Sequence, residues 1–466
     1  MLKIYNTLTQ KKQTFTPLHD KNVGLYVCGM TVYDLSHIGH ARVVVAFDVI
    51  LRYLTMQGYR VNYVRNITDI DDKIIKRAQE NNETPSDLTQ RMIAAMHEDF
   101  AQLNILPPTH EPRATDAIPQ MLDLIQILID KGYAYQADNG DICYSVEKFK
   151  TYGELAHQNL EKLRSGSRVA VDATKKDPLD FVLWKKAKPD EPSWESPWGA
   201  GRPGWHIECS AMSMAALGEH FDIHGGGLDL VFPHHQNEIA QSEGATGTQF
   251  VNSWIHVGFV QTNRQKMSKS LGNFFTLRDV LQQYPAEVVR YFLLSSHYRS
   301  PIQYSQENLQ TAQSALQRLY TSLRGLVSEA PKEFIAEQLT GHYREKFQLA
   351  MDDDFNTPDA LAVLFELARE INRLRESNNQ QAQQLAKYLQ YLASILGILQ
   401  QDPELFLKLD TSQDTADAEK INHLIAARNA ARTAKNWQQA DKIRDELLKL
   451  NVVLEDTASG TEWRRK

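Results

Sequence analysis

The run Val23-Gly24-Leu25-Tyr26-Val27-Cys28 is apolar enough to predict a buried strand. Helical spacing follows, starting near Ser36 or Gly39 and running to about Met56, and Tyr59 to Val64 alternates as a strand does. Asp69 to Asn81 reads as a second helix, with Thr68 and Asp69 as candidate N-caps. Strand, helix, strand, helix is the order of a doubly wound parallel sheet, so an α/β, Rossmann-type domain is expected. From about Leu106 to Gly199 the pattern breaks. There it predicts an amphipathic helix over Ile118 to Lys131, short strands near Cys143 to Val146 and a Pro/Trp-rich loop from Pro189 to Gly204, which together form an inserted subdomain. The α/β pattern resumes with Trp205 to Ala216, Phe221 to His224 and Phe250 to Val260.

After Thr276 the chain turns strongly helical, which predicts all-α domains towards the C-terminus. Thr357-Pro358 starts a helix well, with Thr as N-cap and Pro at the first helical position, and Asp359 to Arg375 keeps helical apolar spacing. The Gln-rich stretch near Asn378 to Gln384 reads as a connection between helices. Gln401 to Glu419 carries six acidic residues and few apolar ones, which predicts a linker before a small helical tail. The resulting map is 1–105 and 201–275 for the two halves of the Rossmann-type domain and 106–200 for the insertion. Residues 276–330 form a first helical region, 331–400 a helical bundle, 401–419 the linker and 420–466 the small basic tail.

Composition bounds this picture. With 466 residues the chain exceeds one ordinary domain, and 42% hydrophobic with 23% charged residues is a globular balance. Met1 to Thr14 is polar and lacks the apolar core of an export signal, and no apolar run approaches the ~20 residues that span a bilayer. A cytoplasmic location without membrane contact is the expectation. Three cysteines, Cys28, Cys143 and Cys209, are too few for a disulfide framework, so reduced, buried, catalytic or metal-bound roles are open. The net charge of −7 excludes a global nucleic-acid footprint, but residues 420–466 hold ten Lys/Arg against six Asp/Glu. A basic tail on an acidic body suits a local polyanion contact or, equally simply, a solvated basic helix pair. Trp437 lies there among Arg428, Arg432, Lys435 and Lys442, and Trp463-Arg464-Arg465-Lys466 follows. Either aromatic suits stacking on unpaired bases or a small core.

Candidate chemistry concentrates in a few segments. His37-Ile38-Gly39-His40 falls at a strand-to-helix turn, where unpaired N–H groups favour phosphate. Imidazoles there can hold phosphate oxygens as charge develops, and a side-chain-free Gly39 leaves room for a flat adenine ring. Alone, the segment better suits two helix-capping histidines. Lys266-Met267-Ser268-Lys269-Ser270 sets two ammonium groups three residues apart after a strand, suited to a leaving pyrophosphate or to an ordinary basic turn. His224-Gly225-Gly226-Gly227 with Asp229 would let backbone approach a nucleotide at Gly226 while Asp229 accepts from a ribose hydroxyl. Asp71 and Asp72 suit the first turn of a helix better than a pair of acid–base carboxylates.

Cys28 ends the first strand, Cys209 follows Trp205-His206-Ile207-Glu208, and His234 and Glu238 share a helix face at i, i+4. Two thiolates, an imidazole and a carboxylate make a plausible tetrahedral zinc set, with His235 as a rival ligand. Spacing alone favours two buried apolar cysteines, which stand 181 residues apart without a C-x-x-C pair.

The His37–His40 and Lys266–Ser270 segments, in this order, resemble the two ATP-handling signatures of class I aminoacyl-tRNA synthetases. Four further blocks resemble those of the bacterial cysteinyl-tRNA synthetases: Tyr26 to Asp34, Asn66 to Lys73, Pro203 to Ser210 and Phe232 to Glu238. The likeness runs from near Met1 to the tail, and Gln236 departs from it where the family usually has a glutamate. The resemblance implies one zinc per chain on Cys28, Cys209, His234 and Glu238, and an amino-acid pocket of Gly29, Thr31, Thr68, Trp205 and His224. It implies ATP with Mg²⁺ as substrate, held by His37, Gly39, His40, Gly226, Asp229, Lys266, Met267, Ser268, Lys269 and Ser270. His37, His40, Lys266 and Lys269 carry the catalytic roles. The implied partners are cysteine, ATP and cysteine tRNA, the implied assembly is a monomer, and the implied reaction makes cysteinyl-adenylate and passes its cysteinyl group to the tRNA's 2′-hydroxyl. Cysteine differs from serine by one near-isosteric atom, which a pocket alone separates by about 1–3 kcal/mol, so a soft metal offers the discrimination. Four protein ligands usually mark a closed zinc site, so one, Glu238 foremost, would have to loosen. A ligase joining cysteine to an amino sugar shares the core but lacks the tail that residues 420–466 supply. A non-catalytic tRNA-binding paralogue would need neither the ATP nor the metal residues.

Overall fold

The computed structural model describes residues 1–158, 174–189, 191–262, 265–266, 275–326, 337–408, 415–450, 452–457 and 460–465, with 265–266, 337–338, 415–419, 455–457, 460, 462 and 465 described by backbone alone. The chain forms two compact units. One comprises Met1–Val280, Phe292–Ser305 and Glu345–Leu361, the other Leu281–Tyr291, Gln306–Arg344 and Ala362–Lys466.

The first unit is built on four parallel strands: β1 (Asn22–Val27), β2 (Arg60–Arg65), β3 (Phe221–Gly227) and β4 (Val251–Val257). Their order is β4-β3-β1-β2. Val23, Leu25, Tyr26 and Val27 of β1 are all buried, as a strand covered on both faces requires. Helix α1 (Ile38–Met56) carries the chain from β1 to β2. Helix α2 (Trp205–Leu217) precedes β3, and α3 (Gln236–Thr246) leads from β3 to β4. β1 and β3 are neighbours, yet their connections run to opposite sheet edges. Such a switch in direction opens a crevice beyond the carboxyl ends of the two strands. Gly225 lets α1 close onto the sheet: a Cβ there would stand 2.0 Å from the Phe47 ring.

The insertion belongs to this same unit. Its helix Ile118–Asp130 packs on α2 and α3, and an antiparallel sheet joins Ala134–Gln136, Ile142–Tyr144, Phe181–Lys186 and Gly201–Pro203. One core, including Tyr144, Trp184, Ile207, Phe221 and Trp254, runs through the insertion and the parallel sheet.

Several local expectations need correction. The helix expected from Asp69 begins at Asp72 and is capped by Asp71, whose side chain accepts from the Lys73 N–H at 2.8 Å. Asp69 is engaged elsewhere, accepting from the backbone and hydroxyl of Thr115 at 3.0 and 2.7 Å. The helix Thr357–Ser377 is capped by Asn356, which accepts from the Asp359 N–H, because the Thr357 hydroxyl donates to the Leu294 carbonyl at 2.8 Å. The Gln-rich stretch begins a helix, Asn379–Ile395, capped by Asn378.

In the second unit, the stretch read as a linker contains a helix, Pro403–Lys408, which buries Phe406 and Leu407. Phe406 stacks on Tyr320 with centroids 4.0 Å apart. The tail has its two helices, Thr415–Thr433 and Trp437–Lys449, but ends in an antiparallel hairpin, Val452–Thr457 with Gly460–Arg465, so it is not purely helical. Its core joins Ile421, Ile425, Ile443, Leu447, Val452 and Trp463.

Candidate active site

A cavity of about 330 Å³ opens at the crevice between β1 and β3. At one end stand Cys28, at the end of β1, Cys209 on α2, and His234 just before α3. The two sulfur atoms are 3.7 Å apart. Glu238 Oε1 lies 3.5 Å from Cys28 Sγ and 3.1 Å from His234 Nε2. All four side chains are buried, and their ligand atoms fall within 4.8 Å of one another.

These distances fit a cation of zinc's size. Tetrahedral bonds of ~2.3 Å to sulfur and ~2.1 Å to nitrogen or oxygen give edges of about 3.8 Å between sulfurs and about 3.4–3.6 Å for the other pairs. A rival set, Cys28, His224, His235 and Glu238, meets the same proximity criterion. His224 Nε2, however, lies only 2.8 Å from Glu238 Oε2, a hydrogen-bond distance, and neither histidine lines the cavity.

Charge is tightly arranged here. Burial pushes the Cys28 thiol well up, and its hydrogen bond to Cys209, followed by the nearby His234, draws Cys209 down to about 6. Burial opposes ionisation of Glu238, but His224 and His234 hold it at about 2. Burial likewise opposes protonation of His234, yet Glu238 and Cys209 raise it to about 10. Beneath lie further imidazoles. Burial and neighbouring rings push His206 and His235 well down, and His256 to about 3. His206 Nδ1 meets His234 Nδ1 at 3.0 Å, and His235 Nδ1 meets His256 Nε2 at 2.7 Å.

Gly29, Thr31, Thr68 and Trp205 line the cavity beside the thiols. Gly29 permits the close meeting of the two strand ends, since a Cβ would fall 1.6 Å from the Asn66 carbonyl oxygen. The Thr68 hydroxyl donates to Glu208 Oε2 at 3.0 Å, and burial keeps Glu208 well above the usual carboxylate range. Trp205 is 40% exposed and lies against His234, with centroids 4.4 Å apart. His224, expected in the amino-acid pocket, sits behind Glu238 instead.

The other end is lined by His37, Gly39, His40, Gly227 and Asp229. His37 and His40 cap α1 reciprocally: His37 Nδ1 accepts from the Gly39 and His40 N–H groups at 3.1 and 3.2 Å, and His40 Nδ1 from the His37 N–H at 3.4 Å. Their rings stack at 3.5 Å. Gly226 is not in the cavity wall; Gly227 takes that place. Lys266 is described by its backbone only, and Met267, Ser268, Lys269 and Ser270 lie outside the described residues. The described residues on either side approach this end: Val260 lines the cavity, and Thr276 bridges His37.

Sequence reasoning did not single out His206, Glu208, Asn66 or His256. His206 and Cys209, three apart on one helix, already carried the i, i+3 signal.

Residues 14–314 match the tRNA synthetases class I (C) catalytic domain, 346–400 the DALR domain, and 416–464 the cysteinyl-tRNA ligase anticodon binding domain. The chain is 60% identical over 463 residues to the cysteine–tRNA ligase of Ectopseudomonas mendocina, covering 99% of each. It is 61% identical to that of Thioalkalivibrio sulfidiphilus, covering 100% of each. The chain belongs to the cysteine–tRNA ligases.

As a cysteine–tRNA ligase it is an aminoacyl-tRNA ligase of class I, with cysteine, ATP and tRNA as partners. The ligase also resembles the solved Mycobacterium tuberculosis methionyl-tRNA synthetase in complex with methionyl-adenylate. The TM-score is 0.57 at 15% identity, over 83% of this chain and 91% of that one, a likeness of fold alone. No helix among the described residues of the ligase is long and apolar enough to cross a membrane.

Proposed function

We propose that the ligase selects cysteine by its sulfur at a zinc ion held by Cys28, Cys209, His234 and Glu238, and activates it with ATP in the same cavity. The observation that carries this reading is the convergence of those four ligand atoms on one end of the cavity, with a 3.7 Å sulfur–sulfur edge. Bound there, zinc supplies a soft Lewis acid that prefers a thiolate to an alcohol, which separates cysteine from serine. The set takes up a cation by releasing protons from Cys28 and His234.

Thr68 and Trp205 border the amino acid, and Gly29 and Thr31 border its backbone end. His224 acts on the pocket through Glu238. Beyond the thiol end, His37, Gly39 and His40 at the start of α1 receive the triphosphate of ATP with its Mg²⁺, and Asp229 receives the ribose. Backbone N–H groups at a helix start favour anions, and the imidazoles give up their mutual caps to hold phosphate oxygens. Gly226 supports Gly227 in that wall. Lys266 and Lys269, with Met267, Ser268 and Ser270, close on the leaving pyrophosphate.

The substrate carboxylate oxygen attacks the α-phosphorus and pyrophosphate departs, giving cysteinyl-adenylate. A terminal ribose 2′-hydroxyl of cysteine tRNA then attacks the carbonyl, loses its proton and displaces AMP. Positioning and charge neutralisation suffice, so no covalent protein intermediate is required. A monomer in the cytoplasm completes the reading. The test is Cys209→Ser: zinc content and cysteine-dependent ATP–pyrophosphate exchange fall together, whereas exchange retained without zinc overturns the selection by metal.

A further inference from the structure

Arg42 lies on α1 two residues beyond His40, and it has no part in the cavity lining that its neighbours His40 and Val43 share. Its side chain is buried, and Nη2 donates to the carbonyls of His297 and Ser300. Nε and Nη1 are buried without a hydrogen-bond partner among the described residues. Burial draws the guanidinium pKa down to about 10, and no carboxylate opposes that shift. A buried cation that lacks a counter-ion is a poor source of stability. What this one does follows from the segment to which its two carbonyls belong.

Those carbonyls lie in a turn at residues 297–300, packed on Gly258, which follows β4 and lines the cavity. The Gly258 N–H donates to the Tyr298 carbonyl at 2.8 Å, and a Cβ at Gly258 would stand 2.5 Å from the Arg299 carbonyl oxygen. From this turn the chain runs into Ile302–Gln303, which pairs in parallel with Val260–Thr262. Val260–Thr262 pairs in turn with Gln265–Lys266, the edge strand of this small sheet. One guanidinium thus links the helix that begins after His37 to the sheet that carries the Lys266 backbone. We propose that Arg42 is a positioning residue for adenylate formation, holding the strand of Lys266 in register with the helix start that presents His37 and His40. The proposal rests on the roles in ATP binding given to those three residues above.

Cysteine-dependent ATP–pyrophosphate exchange, set beside transfer from synthetic cysteinyl-adenylate to tRNA, separates this role from a general one. Arg42→Met removes both hydrogen bonds, and Arg42→Lys keeps a cation with one donor nitrogen. Arg42→Met lowers kcat/KM for ATP in exchange by about 10–100-fold, as displacement of a catalytic group does. The KM for cysteine, the bound zinc and the transfer step stay within about twofold of the parent. Arg42→Lys recovers part of the loss, and it shows the smaller ATP-specific loss by itself should Arg42→Met fail to fold. Lys266→Ala also lowers exchange, and Arg42→Met then costs less than it does in the parent, as residues acting through one element require. Equal losses in exchange and transfer would make Arg42 a general structural residue, and unchanged exchange in both Arg42 variants would leave it without a role. Full multiplication of the Arg42 and Lys266 effects would route its action elsewhere. Each of these overturns the proposal. Exchange untouched by Lys266→Ala would instead overturn the placement of ATP.

Discussion

His224 Nε2 lies 2.8 Å from Glu238 Oε2, and both side chains are fully buried. The contact divides the carboxylate: Oε2 is held by His224 while Oε1 faces Cys28 and His234. Glu238, the ligand that a working zinc would be expected to loosen, is therefore anchored from behind. In the proposed zinc site, His224 would be a positioning residue that fixes the orientation of the Glu238 carboxylate.

Replacing His224 tests that role. His224→Ala should weaken zinc retention against a competing chelator by about 10–100-fold and raise the KM for cysteine more than it lowers kcat. His224→Gln, which can still donate to Oε2, should recover part of the zinc affinity. Unchanged zinc retention in His224→Ala would show that Glu238 needs no anchor.

The two tail tryptophans should part company. Trp437 is 60% exposed at the start of its helix, whereas Trp463 is buried in the tail core and donates from Nε1 to Asn422. Trp437→Ala should leave thermal stability nearly unchanged and weaken tRNA binding by about 1–3 kcal/mol, the range of one base stack. Trp463→Ala should destabilise the tail by about 3–5 kcal/mol. Thermal melts and tRNA titrations of both variants check this, and a stable Trp463→Ala tail would contradict it.

Glu287 should make the helical unit less stable as pH rises. Burial raises its pKa, against hydrogen bonds from the Leu399 N–H, Tyr320 and Gln401 and the charge of Arg290. A carboxyl raised in the folded state binds more protons folded than unfolded. Its contribution is fully present below the unfolded value and is lost as pH climbs through the folded one. Parent protein should lose stability relative to Glu287→Gln across the interval just above the ordinary glutamate range. A difference between the two that does not vary with pH would contradict this.

How much of this could be read from sequence depended on how local the signal was. The i, i+4 spacing of His234 and Glu238 places both on one face within a single turn, and the strand–turn–helix at His37 was legible for the same reason. Bringing Cys28 to 3.7 Å from Cys209 depends on β3 lying beside β1, which sequence order alone does not state; the family likeness supplied it. Caps misled where several side chains competed. Thr68, Asp69 and Asp71 all suit a cap, and tertiary partners Glu208 and Thr115 engage the first two.

Burial was the other gap. Trp437 and Trp463 have equally basic sequence surroundings, and only the pairing of Val452–Thr457 with Gly460–Arg465 reveals which one is core. The Gln401–Glu419 stretch looked too acidic for structure, yet Phe406 stacks on Tyr320, Leu407 is buried and Glu404 pairs with Arg324, which anchors the Pro403–Lys408 helix.

Selection of cysteine by zinc is tested most directly by ATP–pyrophosphate exchange with cysteine and then serine, each with and without a zinc chelator. The account predicts exchange with cysteine alone, lost on chelation and restored by zinc. Exchange that persists with cysteine after zinc is removed, or that serine supports comparably, would contradict it.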